Sequence, residues 1–530
     1  MTRFNKRPSG LIVANQPIVS TANPTARTGN SAPGFTRDAE GELFLLAVSN
    51  FVGQDMHYEK GVARDARFKS LVAQVAVSNP EWMNRFLPWL RNEANMRTAS
   101  LVAAVETVRA QLKAPGGPIT GFGRALINSV LTRADEPGEM LGYWKATYPG
   151  EQIPKPIKRG IADAVARLYT ERNTLKYDTA SHGFRFGDVL ELTHAAPDKG
   201  YQRALFKHLI DRRHGRGGTS ESYVGLPMII ENMRVRSQVD TFGNHEILLR
   251  SDVLKAAGMT WEDALSLAGN KLPKNQLWEA LIPNMGYMAL LRNLRNFDEA
   301  GVSDKTATWA GVELASPEKV AHSRQLPMRF LSAFRSVSNV RWHVALEHAL
   351  QASLNNIPEF KGRTLILIDT SGSMSSQFGK DTQLCLWDAA AIFGCALAQR
   401  CESANVVSFS NLTKPFPLPR GESLILSVDR FRKGYFLNGG TDTEGAVRTH
   451  FHGHDRVVIL TDEQANHHSA LHVASSVPIH IPVITFNLAG YRVGHAPSGT
   501  PTRITIGGLS DQAFKLLPVL ESRAKGQWPF

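Results

Sequence analysis

Four short aliphatic runs recur between Glu359 and the C-terminus: TLILID, ANVVSF, DRVVILTD and IPVITF. Near-continuous apolar strands of this kind are buried on both faces, and helix-like text between them implies a parallel sheet covered by helices. QLCLWDAAAIFGCALAQ reads as one such helix, and QAFKLLPVLES as a final one with Pro518 as a local irregularity. In sheets of this type function collects at the carboxyl ends of the strands. Two carboxylates fall there: Asp369 directly after the first run, and Asp462 after Thr461 at the end of the third.

Before about residue 355 the pattern is different. The stretch from Arg67 to Leu112 carries apolar residues at i, i+3, i+4 and i+7, the helical period. Asn79-Pro80-Glu81 within it is a helix start, with a side-chain oxygen at the N-cap and a proline whose missing N–H goes unneeded. RTASLVAAVETV, GRALINSVLTRA, RGIADAVARLY and YQRALFKHLIDRR repeat an arginine before or among small and aliphatic residues. Their irregular spacing is a weak signature of a HEAT-type helical solenoid, with an irregular all-helical domain as the alternative. At 530 residues the chain exceeds the ~250–300 at which single cores stop growing. The expected fold is therefore multidomain: a flexible tail over 1–30, an all-α part over 31–358, and a doubly wound α/β part over 359–530.

The loop LIDTSGSMSS places Asp369, Ser371 and Ser373 at i, i+2 and i+4, so three oxygens can converge from one turn. LNGGTDTEGA adds Thr441 after Gly439 and Gly440, which permit unusual backbone angles. With Asp462 this makes three hydroxyls and two carboxylates without a soft ligand, a set suited to a hard cation. Mg²⁺ is the expected ion, with Mn²⁺ and Ca²⁺ as alternatives. The competing reading is a metal-free turn whose hydroxyls cap the next helix. Catalytic patterns are missing: TSGSM lacks the outer glycines of a nucleophile elbow, and there is no phosphate-binding G-x-x-x-x-G-K-[ST] loop. No enzyme is expected. His467 and His468 read as a surface loop. Cys385, Cys395 and Cys401 show no C-x-x-C spacing and read as small buried apolar residues.

Charge is unevenly divided. Of 60 basic and 48 acidic residues, 16 and 14 lie at or after Glu359, so +10 of the net +12 lies before it. That excess suggests a polyanionic partner, against the alternative of solubilising charge spread over helices. Lys155, Lys158 and Arg159 share a helix face if KPIKRG is helical, although Pro154 and Pro156 obscure its first turn and Asp163 could pair with Arg159. KHLIDRRHGRGG gathers Lys207, Arg212, Arg213 and Arg216, where cations at a helix C-terminus are the structural explanation. Arg292 and Arg295 form a further pair in ALLRNLRNF. No apolar run approaches the ~18–20 residues of a membrane span, and GLIVANQPIV is broken by Asn15, Gln16 and Pro17. A cytoplasmic location without membrane attachment is expected.

The segment after Glu359 resembles the von Willebrand factor A domain with its metal-ion-dependent adhesion site, and the resemblance carries Asp369, Ser371, Ser373, Thr441 and Asp462 onto the family's metal positions. GRALINSV, KRGIADAVARLY, DVLELTHAAPDK and LWEALIPNMGYMALLRNLRNF resemble the TROVE module of the Ro autoantigen family. That resemblance implies a ring of HEAT-like repeats binding Y RNA on its outer surface and the 3′ ends of misfolded noncoding RNAs in its hole. It implies a non-catalytic, monomeric protein in a ribonucleoprotein for RNA quality control, with an exoribonuclease tethered through RNA. Lys176 and His194 match residues implicated in Y RNA contact, and Lys158 and Arg159 match a basic pair. The loop arginine expected after Lys176 is absent, leaving His182 or Arg185 to compensate. The alternative is an adaptor whose metal recruits an ATPase-type partner through an acidic side chain, as chelatase-type A domains do.

Overall fold

The computed structural model describes residues 18, 20–49, 56–117, 121–181, 183–216, 223–323, 325, 327–354, 359–377, 385–419, 422–466, 476–500, 502–507, 528 and 530. The helix expected over 512–522, the His467-His468 pair and His182 lie outside them. The chain divides into two compact units: Val72–Ser353, and Met1–Leu71 joined with Leu354–Phe530.

The first unit is helical. Asn79 caps the helix Pro80–Asn92, its side chain accepting from the Trp82 amide at 3.2 Å, with Pro80 in the first turn as the sequence implies. Helices near in sequence pack together. Gly160 of Lys155–Leu168 sits so close to Phe122–Val130 that a Cβ there would lie 2.6 Å from Ile127. Pro154 and Pro156 do not obstruct the start of Lys155–Leu168, because first-turn residues have no intrahelical amide partner to lose. Among the described residues no helix is long and apolar enough to cross a membrane.

The second unit is built on six strands: β3 Phe360–Asp369, β4 Cys401–Phe409, β5 Thr413–Phe416, β6 Arg456–Thr461, β7 Val483–Asn487 and β9 Arg503–Gly507. Their order is β5-β4-β3-β6-β7-β9, and every pair except antiparallel β4–β5 is parallel. One face buries Leu365, Leu367, Val407, Val457 and Ile459 in a shared core. Against the other lies the almost wholly buried helix Leu386–Arg400, whose Gly394 lets Ile368 approach to within 2.6 Å of where a Cβ would stand. The chain passes from β3 to β4 on one side and later returns to β6 on the other. The ends of β3 and β6 therefore flank the point where strand order reverses, the usual crevice for a ligand.

The sequence placed residues 31–71 in the helical part; they group instead with the sheet unit, and residues 18 and 20–30 are not a free tail. Strand β2 (Pro33–Thr36) pairs antiparallel with β1 (Ala26–Arg27) and with β8 (Val493–Gly494). Phe35 is fully buried, and Arg37 forms a 2.6 Å ion pair with Glu463 in which both side chains are inaccessible. Helix Ala39–Val48 packs on β9, where Gly507 admits Leu45 and Val48. Local helical periodicity over 39–48 does not reveal this, because the pairing partners lie more than 400 residues away. Of the cysteines, Cys395 is buried, whereas Cys385 and Cys401 are half-buried.

Candidate metal centre and basic surface

At the end of β3, Asp369 is fully buried. One carboxylate oxygen accepts from the Ser371 amide at 2.9 Å and the other from the Thr461 hydroxyl at 2.6 Å. The amide bond curls the loop back, so Ser371 Oγ and Ser373 Oγ lie 3.3 Å apart. Gly372 donates to the Gly439 carbonyl at 2.9 Å, which ties this loop to the Gly-Gly-Thr loop carrying Thr441. Gly439 has φ of 96°, a conformation that favours glycine. From the end of β6, Asp462 is equally buried, and its Oδ1 accepts from the Gln464 amide at 3.2 Å.

Two oxygens of this cluster are orphaned. Thr441 Oγ1 and Asp462 Oδ2 are buried without a hydrogen-bond partner. Buried polar atoms are rarely left so, and a missing ion is one of the standard reasons. Burial pushes the Asp369 carboxyl up; burial and then the Asp369 charge push Asp462 up. The two carboxylates share one buried crevice, and among the described residues no cation acts on either of them. A hard cation among Asp369, Ser371, Ser373, Thr441 and Asp462 would satisfy the orphaned oxygens and hold both carboxylates ionised, so the residues fit such an ion. Among the described residues no cluster of three or more His, Cys, Asp or Glu offers another site. Thr461, which orients Asp369, was not singled out from sequence; its place before Asp462 in VVILTD is the one local signal. Tyr58 was also missed. Its hydroxyl donates to Asn30 Oδ1 at 2.7 Å, and the same phenol faces Ser373, Asp462 and Asp369.

The basic candidates separate into two kinds. Lys155 and Arg159 are exposed and Lys158 is half-buried at the start of Lys155–Leu168. Asp163, the suggested partner of Arg159, instead takes two hydrogen bonds from Arg124, at 2.6 and 2.8 Å. Lys176 is exposed near the end of Glu171–Tyr177, its ammonium 4.9 Å from the Tyr177 ring centre. His194 is exposed as the C-cap of Phe186–Thr193, with a left-handed φ of 54°. Beside it opens a hollow of about 360 Å³ lined by Leu190, Ala195, Pro197, Phe206, Arg203 and Lys207.

Arg185, Arg212 and Arg213 are paired with carboxylates of the same chain, although Arg212 and Arg213 remain exposed. Arg185 grips Asp178 with Nε at 2.7 Å and a terminal nitrogen at 2.9 Å, and Arg212 approaches the same carboxylate at 3.3 Å. Asp178 is buried and also accepts from the Phe186 amide at 3.0 Å, so this cluster fastens the loop before Phe186–Thr193. Arg213 pairs with Asp188 at 2.6 Å, His214 with Glu191 at 2.7 Å, and Lys207 with Asp211 at 2.6 Å. Arg295 reaches Glu299 at 3.3 Å.

Residues 253–380 match the TROVE domain family model. Over 83 residues the chain is 42% identical to telomerase protein component 1 of Mus musculus, and 41% identical to that of Rattus norvegicus. Each match covers 15% of this chain, and the chain spans about 3% of the length of these relatives. Among solved structures, the crystal structure of the Ro (RSR) protein of Deinococcus radiodurans aligns with a TM-score of 0.60 and 16% identity, over 91% of this chain and 100% of that one.

Proposed function

From a chain that carries a TROVE domain and has the fold of a Ro protein, we infer a non-catalytic RNA-binding protein that works within a ribonucleoprotein. The observation that carries this reading is the trio of exposed Lys155 and Arg159 with half-buried Lys158, which forms no ion pair among the described residues and lies in the unit that holds most of the net positive charge. Such cations neutralise phosphates. Lys176 and His194 would extend the contact to a folded RNA of the Y type. The hollow beside His194 offers apolar Leu190, Pro197 and Phe206 with Arg203 beside them, suited to an unstacked base, while Lys207 in the same lining is paired with Asp211.

In this reading the helical part is a HEAT-like ring that receives single-stranded 3′ ends of misfolded noncoding RNA, and an exoribonuclease is held through the RNA. The protein is a cytoplasmic monomer apart from its RNA. The sheet unit is a von Willebrand A-like domain. Asp369, Ser371, Ser373, Thr441 and Asp462 hold Mg²⁺, which supplies positive charge at the end of the sheet. Ultraviolet crosslinking in the native cell followed by sequencing of the bound RNA tests the function. Enrichment of structured noncoding RNAs is expected; recovery of no RNA above a TROVE-unrelated control, with a protein partner retained in Mg²⁺, would favour the adaptor instead.

A further inference from the structure

The N-terminal segment meets the sheet unit at the residues that follow Asp462. Thr28 Oγ1 donates to the Ala465 carbonyl at 2.8 Å, the Gly29 amide to Gln464 Oε1 at 2.6 Å, and Asn30 Nδ2 to the Gln464 carbonyl at 2.7 Å. Ser31 bridges to Asn466, whose own amide donates to the Thr441 carbonyl at 2.6 Å. One short loop, 462–466, thus joins two candidate ligands of the cation to a segment more than 400 residues distant in sequence.

Tyr58 completes the arrangement. Its ring lies over Gly29, where a Cβ would meet it at 2.5 Å, and packs edge-on to Tyr491 with ring centres 5.6 Å apart. Its hydroxyl proton goes to Asn30 Oδ1, and the phenol oxygen lies beside the Ser373 hydroxyl, on the side of Asp462 and Asp369. With its proton held by Asn30, the phenol is a neutral oxygen donor, as an ordinary tyrosine is near neutral pH. A neutral, proton-anchored oxygen facing a dicarboxylate and hydroxyl cluster is what a hard cation accepts as an additional ligand.

We propose that the Tyr58 oxygen closes the outer side of the cation site, so that the ion is an internal clamp pinning residues 28–36 and 56–59 to the sheet unit rather than a port for a partner's carboxylate. This rests on the reading of Asp369, Ser371, Ser373, Thr441 and Asp462 as a Mg²⁺ site. The arrangement also explains why the N-terminal segment belongs to the sheet unit although it precedes the helical one.

The test is Mg²⁺ calorimetry on the full chain and on Tyr58→Phe, which keeps the ring and removes the oxygen, with Asp369→Ala as reference. Removal of this neutral ligand oxygen should weaken Mg²⁺ by at least about 10-fold, the lower end of what even groups that only orient ligands cost, and by less than the loss of the charged ligand Asp369. Acetate should restore affinity to Tyr58→Phe by filling the opened position, and should leave the parent chain unchanged. Hydrogen exchange should show that Mg²⁺ protects the amides of 28–36 in the parent chain and not in Tyr58→Phe. Equal Mg²⁺ affinity and equal protection in both proteins would overturn the clamp, as would acetate tightening Mg²⁺ on the parent chain. If the parent chain binds no Mg²⁺ that Asp369→Ala abolishes, the metal reading itself fails, a distinct result.

Discussion

The crevice at the end of β3 and β6 and the arginine cluster around Asp178 are both polar sites that a reader of the sequence would mark as ligand-binding. They differ in what their atoms touch. In the crevice, Thr441 Oγ1 and Asp462 Oδ2 are buried with nothing to bond. Around Asp178, the carboxylate is saturated by Arg185, Arg212 and the Phe186 amide. A buried oxygen without a partner points to something missing from the chain. A guanidinium already bound to a buried carboxylate would have to abandon it to bind anything else. The same criterion sets Lys155, Lys158 and Arg159 apart from Arg212 and Arg213.

The sharpest way to break this comparison is Asp369→Ala. Loss of a direct ligand should weaken Mg²⁺ by more than the roughly 10–100-fold that supporting groups account for. Calorimetry should therefore show no measurable heat, and added Mg²⁺ should no longer raise the melting temperature. Retained Mg²⁺ stabilisation would mean that the orphaned oxygens report a water site instead.

The pH dependence follows with a definite sign. Asp369 is pushed up to about 6 and Asp462 to about 7, both from an ordinary 3.8. A carboxyl raised on folding contributes stability that is full below 3.8 and is lost as pH rises through its folded value. With metal chelated, the sheet unit should therefore lose stability between about pH 4 and pH 7. Mg²⁺ binds the ionised pair, so the melting-temperature increase it gives should grow across the same window. An increase of the same size at every pH would show that the two carboxylates are not its ligands.

Next in size is Arg185→Ala. Breaking a buried pair from one side typically destabilises by about 3–5 kcal/mol. Because Arg212 remains beside Asp178, about 2–3 kcal/mol is expected here, read as a lower denaturant midpoint. A change under about 0.5 kcal/mol, the level of an ordinary surface substitution, would return Arg185 to the list of RNA contacts.

These cases also mark what the sequence could reveal. Asp369, Ser371, Ser373, Thr441 and Asp462 lie in three short motifs, two of them at the ends of strands that their own apolar runs announce and the third marked by its glycine pair. Local text sufficed to bring them together. The loop's dependence on Thr461, Asn30 and Tyr58 was hidden: Asn30 and Tyr58 come from the far end of the chain, and nothing near them is patterned for the sheet. The helical period of the first unit was equally legible, and so was the Asn79-Pro80 cap. Which arginines were free was not, because Asp178 and Asp188 become partners only when neighbouring helices pack.

The smallest effect separates the two basic segments directly. Each phosphate neutralised contributes about 0.9 to the salt slope on duplex and about 0.7 on single strands. Replacing Lys155, Lys158 and Arg159 together by alanine should flatten the slope for a structured noncoding RNA by about 2–3 and leave the fold intact. Arg212→Ala with Arg213→Ala should flatten it by less than about 1, because those charges are already matched by Asp178 and Asp188. Lys176→Ala with His194→Ala should fall between, at about 1, with Lys176 supplying the charge. Fluorescence anisotropy across a salt series measures all three. Equal slope changes for Lys155, Lys158 and Arg159 and for Arg212 and Arg213 would show that ion pairing within the protein does not decide which cations reach the RNA.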